Sequence, residues 1–215
     1  MKLRNHSLAF FTMLMLGTSA FLGGCATTGM DRSVKTSNSI QEVDSEIRKM
    51  VVQIDVTGAA LDSLVISGNP NLRKSFDSYS DNLAKLDGEG KRVFKRVDEM
   101  KSRSTQYFAE WEKQGDAYTN PEIRELSEER RNKLAKIYAQ VPEAGAGIKG
   151  AYLDYLTNLK EIQKYLSNDL TPKGVDAIAP VANKSIHNRE VLKESIKPLI
   201  YALDEIKAEL YSGKK

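Results

Sequence analysis

Apolar side chains recur in alternating steps of three and four residues along the chain, and this rhythm constrains the fold more than any other feature. The stripe runs through residues 40–65, 72–111, 123–166 and 175–210. Such spacing places the apolar residues on one side of a helix, and a mean repeat of about 3.5 residues is that of a coiled-coil seam. No segment alternates with a period of two, so the sequence predicts helices and no sheet.

Three pairs of residues mark the turns between these segments. Each pair, Asn69-Pro70, Asn120-Pro121 and Thr171-Pro172, combines a capping residue with proline, which is typical of a helix start. Gly68 can end the first helix in a left-handed conformation. Turns this short make neighbouring helices antiparallel. The sequence therefore predicts an all-α fold, an elongated antiparallel up-down-up-down bundle of three to four long coiled-coil-like helices over residues 39–212. Because the first helix looks shortest, one end of the bundle is expected to contain three helices.

The first 25 residues have the layout of a secretory signal. Lys2 and Arg4 precede an apolar run from residue 8 to 16, and small residues lead to Cys25, the only cysteine of the chain. The run is shorter than the roughly 20 residues that a membrane-spanning helix needs. We therefore predict a signal peptide over residues 1–24. A plain cleaved signal with an accidental cysteine is the alternative.

Leu22-Gly23-Gly24-Cys25 resembles the lipobox of bacterial lipoproteins. The resemblance implies that Cys25 becomes the first residue of the mature chain and carries acyl chains, which give a lasting membrane anchor. Ala26 follows where aspartate favours inner-membrane retention in Gram-negative lipoproteins, so the resemblance implies an outer-membrane location. Residues 25–38 are small and polar after the cysteine, and we expect them to form a flexible tether.

Composition excludes several classes of protein. One cysteine cannot form a disulfide within the chain, and only one stretch is long and apolar, which argues against a polytopic membrane protein. Without residues 1–24 the chain has 30 basic and 29 acidic residues, so we expect no nucleic-acid partner.

No combination of residues indicates catalysis. His187 is the only histidine after residue 24 and has no cysteine to pair with, so we expect it to face solvent rather than to bind a metal. No phosphate-binding loop is present. The sequence therefore predicts no catalytic, metal or cofactor site, and no cofactor; the single assigned site residue is Cys25, as the point of lipidation.

Two basic patches occur on the predicted helices. Residues 91–96 contain Lys-Arg twice, and residues 130–136 contain four further cations. The preferred interpretation is ion pairing with Asp98, Glu99, Glu128 and Glu129, and the alternative is binding of lipid headgroups or another anionic polymer. Arg130 and Arg189 lie on the apolar seam, where they are expected either to snorkel toward water or to set the register between helices.

Helix-breaking residues are expected at one height of the bundle. The predicted register places Gly88 and Gly90 opposite Gly145 and Gly147, which indicates chance, a shared bend, or a close contact where small residues let the backbones approach.

Several aromatic side chains have two possible roles. Tyr152, Tyr155, Tyr165 and Trp111 are expected to pack in the core and at its rim, and the alternative is a ligand-lined pocket.

One part of the chain resembles a known family. Tyr107-Phe108-Ala109-Glu110-Trp111-Glu112, Tyr118-x-Asn120 and Arg124-x-x-Ser127-x-x-x-Arg131 resemble an uncharacterised family of bacterial helical lipoproteins, a domain of unknown function. The resemblance implies a secreted, lipid-tethered helical protein and supplies no activity.

These observations favour a non-enzymatic cell-envelope lipoprotein with a structural or interaction role, as a scaffold or adaptor. Its expected partners are the membrane, through the acyl chains, and a protein partner or a second copy of the chain. The alternative is a carrier or sensor that binds a small apolar or anionic ligand between helices. A third class, an enzyme that uses carboxylates, would need a cleft with clustered acids, which heptad spacing does not predict.

Overall fold

The computed structural model describes residues 29–66 and 68–211, and within these ranges the chain forms four helices and no strand. They are α1 (Gly29–Val65), α2 (Leu72–Gly115), α3 (Pro121–Asn168) and α4 (Pro172–Tyr211). Successive helices pack side by side and α4 also packs against α1, so the four close into an antiparallel bundle. The predicted all-α, up-down-up-down fold is confirmed, with helices of 37, 44, 48 and 40 residues.

The seam residues of all four helices form one continuous apolar core. Its fully buried side chains include Ile40, Ile47, Met50, Ile54, Leu61, Leu64, Tyr79, Leu86, Met100, Tyr152, Leu159, Ile196, Leu203 and Ile206. The core is therefore built from the same three- and four-residue steps that predict the helices.

α1 begins ten residues earlier than the sequence analysis expects. Residues 29–38 form its first turns, and Thr36 and Ser39 are buried there. The hydroxyl of Ser39 donates a hydrogen bond to the carbonyl oxygen of Thr36 (2.6 Å), so this buried hydroxyl has its hydrogen-bond partner within the helix. The expected flexible tether over residues 25–38 is therefore wrong from Gly29 onward, because polar residues can continue a helix when its backbone accepts their hydrogen bonds. Residues 25–28 lie outside the described ranges.

The starts of α3 and α4 are the predicted ones. The side chain of Asn120 accepts a hydrogen bond from the backbone N–H of Glu122 (2.9 Å). The hydroxyl oxygen of Thr171 accepts one from the backbone N–H of Gly174 (3.1 Å). Both side chains satisfy donors that the first turn of a helix leaves without a partner.

The turn between α1 and α2 differs from the prediction. α2 begins at Leu72 rather than at Pro70, and the side-chain oxygen of Asn69 accepts a hydrogen bond from the backbone N–H of Asn71 within the turn (2.9 Å). Gly68 has the predicted left-handed conformation, with a φ of 74°. Asn69 therefore stabilises the turn itself instead of capping the next helix.

Tyrosine hydroxyls join α2 to α3 inside the core. Tyr79 donates a hydrogen bond to the carbonyl oxygen of Leu159 (2.7 Å), and Tyr152 donates one to that of Leu86 (2.5 Å). The ring of Tyr152 also occupies the space beside Gly90, because glycine has no Cβ that would fill it. These contacts fix one register between the two helices.

The expected alignment of glycines is wrong. Gly90 faces Tyr152 and Gly145 faces Val97, so α2 and α3 are displaced by one to two turns from the predicted register. Both α3 and α4 also continue as α-helices through their internal prolines. The prolines thus interrupt neither α3 nor α4, and the space beside Gly90 of α2 is occupied by the ring of Tyr152.

We expect Gly90→Ala to lower the free energy of unfolding by about 1–3 kcal/mol, because its Cβ would overlap the ring of Tyr152. The matched control is Gly147→Ala, where a Cβ would meet nothing within 4 Å. This change should raise the free energy of unfolding by about 0.5–1 kcal/mol through helix propensity. Urea denaturation followed by circular dichroism measures both. Equal stabilisation by the two substitutions would contradict the placement of Tyr152.

Candidate functional site

The assigned site residue, Cys25, lies outside the described residues, so its lipidation stays a prediction. His187 is exposed on α4, as expected. Within residues 29–66 and 68–211, no three His, Cys, Asp or Glu side chains form a group that could hold a metal ion. The same ranges contain no helix with the length and apolar character needed to span a membrane.

The first basic patch is held in ion pairs with α1. Arg92 lies 3.3 Å from Glu46, and Arg96 lies 3.3 Å from Glu42 and 2.7 Å from Glu99. Of these carboxylates, Glu99 is an expected partner, and the other two belong to a different helix. The patch therefore connects α2 to α1.

The second basic patch connects α3 to its two neighbours. Arg130 and Lys133 both pair with Glu209 of α4, the latter at 2.9 Å, and together these cations hold the pKa of Glu209 below its usual value. Arg131 pairs with Glu112 of α2 at 3.4 Å. These cations therefore form cross-helix ion pairs, which agrees with the preferred interpretation but uses partners other than the expected ones.

Arg189 connects α4 to α1, in agreement with its expected role in register. Its side chain lies against Gly58, where a Cβ would come within 2.7 Å of it. Its Nε is 3.7 Å from the carboxylate of Asp55, which also pairs with Lys193 at 2.9 Å. A glycine in α1 thus gives an arginine room to cross between helices.

The aromatic residues that could have lined one pocket do not come together. Tyr152 and Tyr155 are buried in the core, Tyr165 is exposed on α3, and Trp111 is half-buried near the end of α2. The hydroxyl of Tyr155 is buried without a hydrogen-bond partner, and burial raises its pKa to about 12. The core interpretation therefore holds for the first two residues.

Four aromatic rings cluster where α2 ends. The ring of Phe108 stacks on that of Trp111, with centroids 6.5 Å apart, and meets the ring of Tyr138 of α3 edge-on at 5.4 Å. Tyr107 lies 5.1 Å from Phe108 and 5.5 Å from Trp111. We call this cluster, with the α2–α3 turn and the start of α1, the aromatic end.

Residues that carry the family resemblance contact one another at the aromatic end. The indole N–H of Trp111 donates a hydrogen bond to the hydroxyl of Ser127 (2.8 Å). The guanidinium of Arg124 donates one to the carbonyl oxygen of Tyr118 (2.6 Å), and so holds the turn against the first turn of α3. The motif is therefore one spatial unit that closes the α2–α3 hairpin.

Two adjoining grooves of about 210 and 260 Å³ open beside this cluster, between the start of α1 and the end of α2. Their lining includes Arg32, Lys35, Arg103, Tyr107, Trp111 and Tyr118. Cationic and amphipathic aromatic side chains in this combination suit a boundary between water and an apolar phase.

Within the described residues, α4 does not reach the aromatic end. Its Glu209 pairs with Arg130, and the α3 seam residues that precede Arg130 are uncovered: Leu126 is 66% exposed and Ile123 is also exposed. Among the described residues this end therefore contains three helices, α1, α2 and α3, and α1 is not the helix that is missing from it.

The fold is a long antiparallel four-helix bundle. The contacts at the aromatic end, including the hydrogen bond between Trp111 and Ser127, hold its α2–α3 hairpin closed. The chain belongs to the protein family of unknown function DUF2959, which matches residues 31–209. No curated protein and no solved structure matches the chain.

The sequence analysis missed a second stripe on α1. Val52, Val56, Ala59 and Ser63 share the four- and three-residue spacing of the seam but face outward, and exposed Ile66 follows them in the bend directly after α1. We call them the outer stripe. The signal was present in the sequence, because the spacing is regular, but the larger residues of the buried seam dominate the same segment.

We expect Ser127→Ala to lower the free energy of unfolding by about 1 kcal/mol, because it leaves the indole N–H of Trp111 without its partner. Trp111 is the only tryptophan, so its fluorescence reports directly on the aromatic end. The fluorescence emission maximum of Trp111 in the folded Ser127→Ala variant should be shifted from that of the original chain. Ser102→Ala, at an exposed position of α2, is the control and should change neither quantity by much. An unchanged emission spectrum in Ser127→Ala would contradict the hydrogen bond.

We expect Tyr155→Phe to leave the free energy of unfolding at pH 7 unchanged or up to about 1 kcal/mol higher, since no hydrogen bond is lost. The matched variant Tyr79→Phe should lower it by about 1 kcal/mol, because the bond to Leu159 disappears. Thermal unfolding measures the difference. Equal losses in both variants would show that the hydroxyl of Tyr155 has a partner.

The same residue predicts a dependence on alkaline pH. An unfolded tyrosine ionises near pH 10, whereas the pKa of folded Tyr155 is about 12. Between these values the unfolded chain releases a proton that the folded chain keeps. The contribution of Tyr155 to the free energy of unfolding is therefore fully present below pH 10 and is lost as pH rises toward 12. Tyr155→Phe should make this fall shallower. If the free energy of unfolding of the variant fell with pH as steeply as that of the original chain, the raised pKa of Tyr155 would be contradicted.

Proposed function

We propose that this protein is a bacterial cell-envelope lipoprotein, a non-enzymatic helical rod that is anchored through acyl chains on Cys25 and contacts proteins along its body. The observation that carries the proposal is the position of Cys25, which ends a lipobox-like run and precedes the start of α1 by only four residues. Several acyl chains on one cysteine would hold the chain at a membrane durably.

The short connection supports a defined orientation at the membrane. Four residues of extended chain reach at most about 14 Å, so an acylated Cys25 would keep the aromatic end close to the bilayer surface. Tyrosine and tryptophan are favoured at such interfaces because their rings are apolar and their N–H or O–H groups polar. Tyr107, Trp111 and Tyr118 supply such side chains at that end.

The opposite end would extend away from the membrane. α1 has 37 residues, which corresponds to about 55 Å at 1.5 Å per residue. Ala26 favours the outer membrane as the location of the anchor, with the body in the periplasm. A rod with this length suits a scaffold or adaptor, since its far end would lie well outside the lipid headgroups.

A carrier or sensor is the second candidate, and one observation favours it. A groove of about 640 Å³ lies between α1 and α2 near their connecting turn, which exceeds the roughly 300 Å³ that a small-molecule site needs. The groove is bordered by the exposed side chains Val56 and Ile66 rather than enclosed between the helices of the core. Its form suits a helix better than a small ligand.

The anchor is tested with the full chain expressed in a Gram-negative host. Mass spectrometry of the membrane fraction should find a mature chain that begins at Cys25 with its acyl chains attached. Cys25→Ala should abolish the acyl mass and move the protein into the soluble fraction after a salt wash. A bare thiol at a mature N-terminus, or Cys25→Ala protein that stays with washed membranes, would overturn the anchor.

A protein-contact role is tested by crosslinking in intact envelopes, with the Cys25→Ala chain as the unanchored control. Recovery of the same crosslinked partner from several preparations of the anchored chain, but not of the control, would support an adaptor. Turnover of a substrate by the purified protein, abolished by substitution of an exposed carboxylate, would overturn the non-enzymatic proposal.

A further inference from the structure

The two grooves at the aromatic end collect basic side chains from two helices. Arg32 and Lys35 lie about one turn apart on α1, and Arg103 lines the same groove from α2. Because Arg32 and Tyr107 line both grooves, the two form one continuous space, which we call the basic groove. Together they exceed the roughly 300 Å³ at which small-molecule sites begin. Three cations therefore converge on a space that is large enough for a small anion.

Among the described residues, no carboxylate lines the basic groove. The nearest acidic side chains are engaged elsewhere: Glu110 lies 3.1 Å from Lys113, and Glu42 lies 3.3 Å from Arg96. Glu42 is also 3.7 Å from Arg103, which is too long for a hydrogen bond. The guanidinium N–H groups of Arg103 can therefore still donate to a bound anion.

The surface around the basic groove is acidic. Residues 110–129 contain seven acidic and two basic residues, and Asp31 precedes Arg32 on α1. The aromatic end as a whole is therefore not attracted to a negatively charged surface. The basic groove is a local exception, so we expect it to bind one anionic group rather than to respond to negative charge in general.

The second part of the basic groove adds aromatic and amide side chains beside the cations. It is lined by Tyr107, Trp111, Gln114 and Tyr118. The indole N–H of Trp111 is already donated to Ser127, so Trp111 contributes its apolar ring to the groove. Aromatic rings pack against the carbon atoms of a ligand, and amide and hydroxyl groups bind its polar atoms. This part of the groove suits the organic portion of a ligand whose anionic group is bound by the cations.

We propose that the basic groove binds a phosphate monoester, with the phosphate between the three cations and the organic part against the aromatic rings. A phosphate monoester carries up to about two negative charges and three acceptor oxygens, which suits three cations better than a single carboxylate does. The planar guanidinium groups of Arg32 and Arg103 can each donate two parallel hydrogen bonds to phosphate oxygens, and Lys35 adds a point charge.

This inference goes beyond the proposed function and does not depend on it, because every residue that it uses belongs to α1, α2 or their adjoining turn. Two sources of the ester are distinguished by the test. With an acylated Cys25, lipid headgroups would lie within reach of the aromatic end, whereas a water-soluble ester would enter the groove from solution. Glycerol phosphate is the chemical group that both sources share.

The fluorescence of Trp111 reports on binding, because Trp111 lines the basic groove and is the only tryptophan. The full chain in an uncharged detergent is titrated with glycerol 3-phosphate and, separately, with phosphatidic acid, which is the same group carried by a lipid. Glycerol and diacylglycerol are the matched controls without phosphate, and potassium chloride keeps the ionic strength constant. We expect a saturable change in emission with at least one phosphate ester and with neither control.

The pattern of responses identifies the source. A response to glycerol 3-phosphate alone supports a water-soluble ester, a response to phosphatidic acid alone supports a lipid headgroup, and a response to both supports a site that accepts either. No saturable response to either ester would overturn the proposal, as would a response that the controls or added potassium chloride reproduce. Loss of acylation in the experiment on Cys25 would leave the titration with glycerol 3-phosphate unchanged.

Substitutions test the cations directly. Arg103→Gln should weaken binding of the ester roughly tenfold, because a hydrogen bond between charged groups is lost. Lys35→Gln, at an exposed position, should also weaken it. Arg73→Gln is the matched control and should leave the dissociation constant unchanged, since Arg73 pairs with Asp77 on the same helix, about 45 Å away. Circular dichroism should show the same helix content in all three variants. Unchanged binding in both groove variants, or equal weakening in Arg73→Gln, would overturn the site.

Discussion

The structure depends on polar side chains that cross the apolar seams and fix how far each helix has slid along its neighbour. Apolar residues in heptads hold helices together but do not by themselves choose a register, because a slide of seven residues restores the same pattern. The hydroxyls of Tyr79 and Tyr152 each find one backbone carbonyl on the neighbouring helix. Only one register satisfies both, since a buried hydroxyl without a partner is costly.

The same principle applies between the other helices with charged groups in place of hydroxyls. Arg189 crosses to Asp55 over a glycine of α1, and Glu209 receives two cations from α3. Each of these pairs is partly exposed and contributes little stability alone. Their effect is on specificity, because long helices with similar seams could otherwise pair in several displaced arrangements.

The helices and most of their boundaries could be predicted because they depend on local signals. The seam spacing indicates helices, and the capping residues before Pro121 and Pro172 mark two of the starts that the structure contains. The register of α2 and α3 could not be predicted from turn lengths, because it is set by the ring of Tyr152 beside Gly90. Nothing in the spacing of the glycines reveals that an aromatic ring occupies this space.

Two features of the surface show a similar limit. The aromatic end was visible as a motif, but its contacts, such as that of Trp111 with Ser127, join residues 16 apart through a turn. The outer stripe has a spacing as regular as that of the seam, and burial is what distinguishes them. Spacing alone therefore does not tell the two stripes of α1 apart, and only the packed bundle shows which of them remains uncovered.

The position of the two stripes on α1 has a consequence for the whole rod. The seam of α1 already closes the bundle with α2 and α4, so an additional helix on the outer stripe would extend the assembly sideways rather than replace a contact. The outer stripe begins at Val52, 23 residues after Gly29, which places it about 35 Å along the rod from the aromatic end. Contacts at the aromatic end and contacts on the outer stripe can therefore form at the same time, because the two surfaces do not overlap.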